Sequence, residues 1–107
     1  MAARGITRVT LFKVPKEGDQ KTFLDFYGKM KSKALKDGKP YILSVEAGLP
    51  FEDKRAQGYT VSVITKFASK ADFDYYDTEC AAHAELKEFA KTAHEGVMMV
   101  FFENALA

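Results

Sequence analysis

The chain has 107 residues, 47% of them apolar, with 16 basic and 15 acidic side chains and a net charge of +1. That length suits one domain burying roughly two thirds of its unfolded surface, and the apolar fraction excludes a disordered chain. The charges are interspersed, with no basic stripe or like-charge block, which argues against nucleic-acid binding.

Cys80 is the single cysteine, so no internal disulfide can form. Met1-Ala2-Ala3-Arg4 carries no apolar leader core, and no stretch approaches the roughly 18 apolar residues of a membrane span. The expected compartment is the reducing cytoplasm, with no membrane association.

Arg4 to Val14 reads as a strand in which Val9 and Leu11 alternate with Arg8, Thr10 and Phe12. Pro15 and Gly18 end it, and Asp19 is the expected cap of a helix. That helix carries Phe23, Tyr27, Met30 and Ala34 on one face at offsets 0, 4, 7 and 11. Asp37-Gly38-Lys39-Pro40 is its stop signal. A short strand follows from Tyr41 to Ala47. The segment Gly48 to Gln57 is a loop long enough to act as a lid. Tyr59 to Phe67 is the clearest strand, with Val61, Val63, Thr65 and Phe67 on one face.

Ser69-Lys70-Ala71-Asp72 has the form of a capping box with Asp in place of Glu. It opens a helix through Phe73, Tyr75 and Tyr76, which Asp77-Thr78 interrupts. Thr78 is the expected cap of the next helix, whose buried face is Ala82, Leu86, Phe89 and Ala93. Glu95-Gly96 ends it, and Val97-Met98-Met99-Val100-Phe101-Phe102 forms the last strand. The order βαββααβ is an α+β, ferredoxin-like plan with a four-stranded antiparallel sheet and a divided second helix.

Six consecutive apolar residues in the last strand leave neither of its faces for water. An edge strand this apolar invites aggregation, and a second copy packed sheet against sheet is the simplest cover. A homodimer is therefore expected.

Among chemistry-bearing residues, His83 stands about 100° from Ala82, at the edge of the buried stripe. A half-buried His there has a pKa easily moved across neutrality, and Tyr76 at the helix break could meet it over one cavity as an acid/base pair. The competing reading is a core-edge His bonded to backbone, with the tyrosines as packing. Arg8 and Thr10 share a face with Phe12. If that face looks toward the helices, Arg8 can hold a carboxylate or phenolate; otherwise it snorkels out. Phe23, Tyr27, Val61, Val63 and Tyr75 complete the expected binding surface. His94 lies about 16 Å from His83 along the helix, too far to share a metal. Asp74, Asp77 and Glu79 read as exposed helix-end carboxylates rather than a cation site, and no metal or organic cofactor is expected. Cys80, at a helix start, is either a thiol of lowered pKa or a small helix-end residue.

Val9-Thr10-Leu11-Phe12-Lys13, Gly58-Tyr59 and Tyr75-Tyr76-Asp77-Thr78-Glu79-Cys80-Ala81-Ala82-His83 resemble the stress-responsive dimeric α/β-barrel (Dabb) family over nearly the whole chain. The resemblance implies a homodimer whose sheets form a barrel, and a stress-linked role. It also implies, for some members, cofactor-independent polyketide cyclisation by a Tyr/His pair. His83 matches that His. The Tyr position falls on Asp77, six residues before the His, so Tyr76 would serve only with a one-residue bulge. The family's His-Pro-Ala-His is Cys80-Ala81-Ala82-His83 here, and its first-strand His is Arg8. These departures favour an acidic ligand. The expectation is a pocket between sheet and helices for a small aromatic or β-keto acid, catalytic or merely binding.

Overall fold

The computed structural model describes residues 5–106. A first strand, β1 (Ile6–Lys13), leads into α1 (Glu17–Lys33), a small hairpin of β2 (Leu35–Lys36) and β3 (Lys39–Pro40), and then β4 (Ile42–Gly48). A 3₁₀ turn (Lys54–Ala56) precedes β5 (Val61–Phe67), followed by α2 (Lys70–Thr78), α3 (Ala81–Ala93) and β6 (Gly96–Glu103). The sheet order is β4-β5-β1-β6, with all neighbours antiparallel. This is the ferredoxin-like α+β arrangement, with β6 at one edge. The expected strand start at Arg4 lies outside the described residues.

Alternation decides which face of β1 is buried. Ile6, Arg8, Thr10 and Phe12 point toward the helices, and Val9 and Leu11 point the other way. In β5, Val61, Val63, Thr65 and Phe67 join the inward set. α1 lays Phe23, Tyr27 and Met30 over them, and α3 adds Leu86. A buried side chain of this size contributes about 1.5–3 kcal/mol relative to exposure.

Three local expectations are corrected. α1 starts two residues before Asp19, after Lys16 and without a side-chain cap; Asp19 instead joins Glu17 in the first turn, where acidic charge suits the helix dipole. The turn at Asp37-Gly38 does not stop α1, which has ended at Lys33. Both residues have positive φ (53° and 77°), the geometry of a tight hairpin turn, and they join β2 to β3. Thr78 closes α2 rather than capping α3: its Oγ1 donates to the Asp74 carbonyl at 2.8 Å. Cys80 occupies the cap position of α3 with no side-chain bond and is buried, as a small helix-end residue is. Ser69 does cap α2, accepting from the Asp72 N–H at 3.2 Å, while the Asp72 carboxylate pairs with Lys36 rather than reaching back.

The outer face of the sheet is apolar around β1 and β6. Met98, Val100 and Phe102 of β6 are about half exposed, standing beside Leu11, Val9 and Thr7. The loop after β4 also belongs to this side. Pro50, Arg55 and Gln57 border a hollow with the outward-facing Leu11, Ser62 and Met98. The loop therefore does not cover the helix side of the sheet, and the lid expected there is not formed.

Candidate active site

On the helix side, the inward face of the edge strand β6 is not fully covered, and Val97 and Phe101 are about half exposed. The gap is a cavity of about 240 Å³ bordered by Arg8, Thr10 and Phe12 of β1, His83 and Leu86 of α3, and Met99 of β6. It is smaller than the roughly 300–1,000 Å³ of pockets for drug-sized ligands, so it suits a small molecule. A second groove of about 140 Å³ lies between α1 and α3, around Phe26 and Met30. Its polar rim of Asp25, Lys29 and Glu85 is solvated helix surface with no buried acid/base group.

The helix break sets His83. α2 ends when the N–H groups of Glu79 and Cys80 both turn back to the Tyr75 carbonyl, at 2.8 and 3.0 Å. This leaves the Tyr76 carbonyl free of a helical partner, and His83 Nδ1 lies 2.8 Å from it. A carbonyl only accepts, so Nδ1 carries the proton and the neutral ring leaves Nε2 as an acceptor. Nε2 has no protein partner among the described residues, and His83 borders the cavity. Burial pushes the imidazole down to about 4; the bond to the Tyr76 carbonyl opposes this, and the Arg8 and Lys87 charges add to it. His83 is 3% exposed, so desolvation dominates.

Tyr76 meets His83 by stacking. The two rings lie 3.8 Å apart with planes at 11°, and the phenol does not border the cavity. Its Oη is buried without a hydrogen bond, and burial pushes its pKa well above the ordinary phenol value. The expected meeting of phenol and imidazole over one cavity is thus replaced by a face-to-face contact behind it. No bulge brings Tyr76 to the position of Asp77. Asp77 points elsewhere, its Oδ1 accepting from Arg8 Nη2 at 3.2 Å.

Arg8 points inward rather than snorkelling, with 7% of its surface exposed. Nη1 donates to Thr10 Oγ1 at 2.8 Å, and the guanidinium lies 5.3 Å from the Tyr76 ring centre. Nε is buried with no partner. Arg8, Thr10, Phe12 and His83 are therefore brought together at one cavity.

The remaining expected pocket residues stand apart from it. Phe23, Tyr27, Val61 and Val63 are core side chains beneath α1, with Phe23 one ring behind Phe12 at 4.7 Å. Tyr75 turns toward Tyr41 and donates to the Leu35 carbonyl at 2.9 Å, on the far side of α2. These side chains fill the core, whereas the cavity lies along β1, α3 and β6. Sequence reasoning missed Lys87, Leu86, Val97, Met99 and His94 as cavity residues. The α3 members were legible as the face beside His83; the β6 members follow only from its pairing with β1. Among the described residues no three His, Cys, Asp or Glu side chains are grouped to hold a metal ion, and no helix is long and apolar enough to cross a membrane.

Residues 6–104 match the family described as the stress responsive A/B barrel domain. A fusaristatin A biosynthesis cluster protein of Gibberella zeae is 44% identical over 99 residues, spanning 92% of this chain and 72% of the relative. Among solved structures, hydroxynitrile lyase from Passiflora edulis superposes with a TM-score of 0.80 at 15% identity, covering 97% of this chain and 96% of that one. A dimeric ferredoxin-like protein of unknown function from Bacteroides fragilis superposes with a TM-score of 0.77, also at 15% identity, covering 96% and 99%. At such identities the structural likeness speaks for the fold alone.

Proposed function

The chain belongs to the stress-responsive A/B barrel (Dabb) family, and we propose that it uses the cavity beside α3 for cofactor-independent acid/base chemistry on a small aromatic or β-keto acid. One observation carries this reading: His83 is held as the Nδ1-protonated tautomer, leaving Nε2 unpaired toward the cavity. A base so placed can take the proton from a carbon next to a carbonyl. The C–H bond breaks, the proton moves to Nε2, and the electron pair remains as an enolate for ring closure or reprotonation. Tyr76 orients the base, through its carbonyl and its ring, rather than supplying a proton. Arg8 and Lys87 favour a carboxylate in the cavity. An anion bound there opposes the causes that lower the His83 pKa, so ligand binding itself moves the base toward neutrality.

The relatives support this reading in kind. The Gibberella zeae protein is named for a biosynthesis cluster, and the Passiflora protein for a lyase activity. The apolar outer face around Val9 and Val100 supports a homodimer, the assembly named for the Bacteroides relative. A non-catalytic ligand-binding dimer would use the same cavity.

Deuterium exchange separates the two. Incorporation at the α-carbon of β-keto and aryl-keto acids in D₂O, followed by NMR, should exceed the buffer rate with the protein and fall to it with His83→Gln. Equal exchange by both proteins would overturn the catalytic role, and the binding reading would then stand.

A further inference from the structure

The loop after β4 carries an aromatic ring that neither the core nor the proposed chemistry uses. Phe51 is 94% exposed, in the run Leu49-Pro50-Phe51, and Leu49 is about half exposed. Single exposed apolar residues are ordinary on a protein surface. Phe51 differs because its loop adjoins the apolar outer face of the sheet, where Leu11 stands beside Met98 and Val9 beside Val100.

The loop is also held in shape. Asp53 accepts three N–H groups of Arg55, from the main chain at 2.8 Å, Nε at 2.9 Å and Nη2 at 2.7 Å. The Ala56 N–H turns back to the Asp53 carbonyl at 2.9 Å, and the Tyr59 N–H to the Ala56 carbonyl at 3.0 Å. A segment ordered before binding loses little further conformational entropy when it binds. A large aromatic ring beside such a turn has the character of an interface anchor.

The hollow beside the loop measures about 250 Å³, and Leu11, Met98, Tyr59 and Ala56 border it. A cavity of about 150 Å³ already accepts a benzene ring. Phe51 does not fill the hollow of its own chain: Pro50 borders it, whereas the Phe51 ring stands in solvent.

We propose that in the homodimer each Phe51 seats in this hollow of the partner copy. The proposal rests on the homodimer reading above and adds the residue that anchors it. Phe51 and the hollow are neighbours on one surface, so a twofold axis passing between them exchanges the two and makes the contact twice. Charge agrees with this. Glu52 adjoins Phe51 and Arg55 borders the hollow, so opposite charges approach as the ring enters. One loop supplies both the ring and part of the wall that receives it, which fits a second copy of this chain rather than a different protein.

The chain has no tryptophan, so Phe51→Trp places a single reporter at the anchor. Its emission should shift to the blue as concentration rises through the range in which sedimentation velocity shows the dimer forming, and return on dilution. Phe51→Ala should raise the dimer dissociation constant about thirtyfold for each of its two copies, the size of a hot-spot truncation. The ¹⁵N signal of His83 shows whether the fold is intact in each variant. Combined with Met98→Ala, Phe51→Ala should cost less than the product of the two separate losses, because both changes remove one contact. Unchanged dimer affinity in Phe51→Ala, water-exposed emission from Phe51→Trp within the dimer, or strictly multiplicative losses each overturn the proposal and leave the homodimer standing. A wild-type chain that stays monomeric overturns both.

Discussion

His83 lies flat on Tyr76, ring centres 3.8 Å apart, and bonds through Nδ1 to the backbone carbonyl of that same residue. One residue therefore fixes both the plane and the tautomer of the imidazole, by its ring and its main chain, while its hydroxyl takes no part. Tyr76→Phe removes a buried oxygen that has no partner. It should leave stability unchanged or raise it by about 1 kcal/mol, with His83 still protonated at Nδ1 by ¹⁵N NMR. Tyr76→Ala should cost about 3–5 kcal/mol in urea unfolding and release the imidazole. A large loss of α-exchange in Tyr76→Phe, with the ¹⁵N signature intact, would instead make the phenol a proton donor.

The low pKa of His83 makes folding pH-dependent. The folded value is about 4, against 6.5 for the free side chain. Between these values the unfolded chain binds a proton that the folded chain refuses, so stability rises with pH across that window. The contribution is fully present above pH 6.5 and lost as pH falls through about 4; the shift corresponds to roughly 3 kcal/mol. Urea midpoints at pH 7, 5.5 and 4 should fall more steeply for the wild type than for His83→Gln. Parallel curves would show that His83 is not desolvated in solution.

Arg8 is held between Thr10 and Asp77, and the Asp77 side chain is 39% exposed. Because water reaches one partner, the pair is worth less than a fully buried one. Asp77→Asn should cost about 1 kcal/mol, and the loss should shrink in high salt. The same change frees one face of the guanidinium, so carboxylate ligands should bind more tightly, measured by calorimetry. Weaker binding in Asp77→Asn would mean that Asp77 holds Arg8 in its productive position.

What the sequence could disclose divides along physical lines. Period-two alternation in β1 and β5 and the stripes of Phe23, Tyr27 and Met30 and of Ala82 and Leu86 specify elements and faces, because burial enforces them. Helix ends were less legible. Asp19 and Thr78 are good caps by type, but the cap positions fall on Lys16 before α1 and Cys80 before α3, neither of which makes a side-chain cap bond. Arg8 and His83 were readable as polar residues on apolar faces. The cavity outline was not, since it depends on how α3 and β6 pack against β1. Phe23 and Val61 have the same character as Phe12, yet only Phe12 reaches open space. The stacking of Tyr76 on His83, with Asp77 turned to Arg8, depends on the exact residue at which α2 stops.

The outer sheet face gives the last prediction. Val100 pairs with Val9 across β6 and β1, and Met98 pairs with Leu11. Val100 is 52% exposed and Met98 45%, on a face opposite the cavity. A twofold contact uses each patch twice, so one buried charge there appears twice in the interface. Val100→Lys should therefore give a monomer by sedimentation velocity at micromolar concentration, while Thr92→Lys on the exposed side of α3 should not. Because Val100 faces away from His83, the Val100→Lys monomer should keep the Nδ1-protonated imidazole if each cavity is complete within one chain. Loss of that ¹⁵N signature on dissociation would mean that pairing supports the cavity across the sheet. A wild-type monomer at the same concentration would sink the pairing itself, and the apolar face would need another occupant.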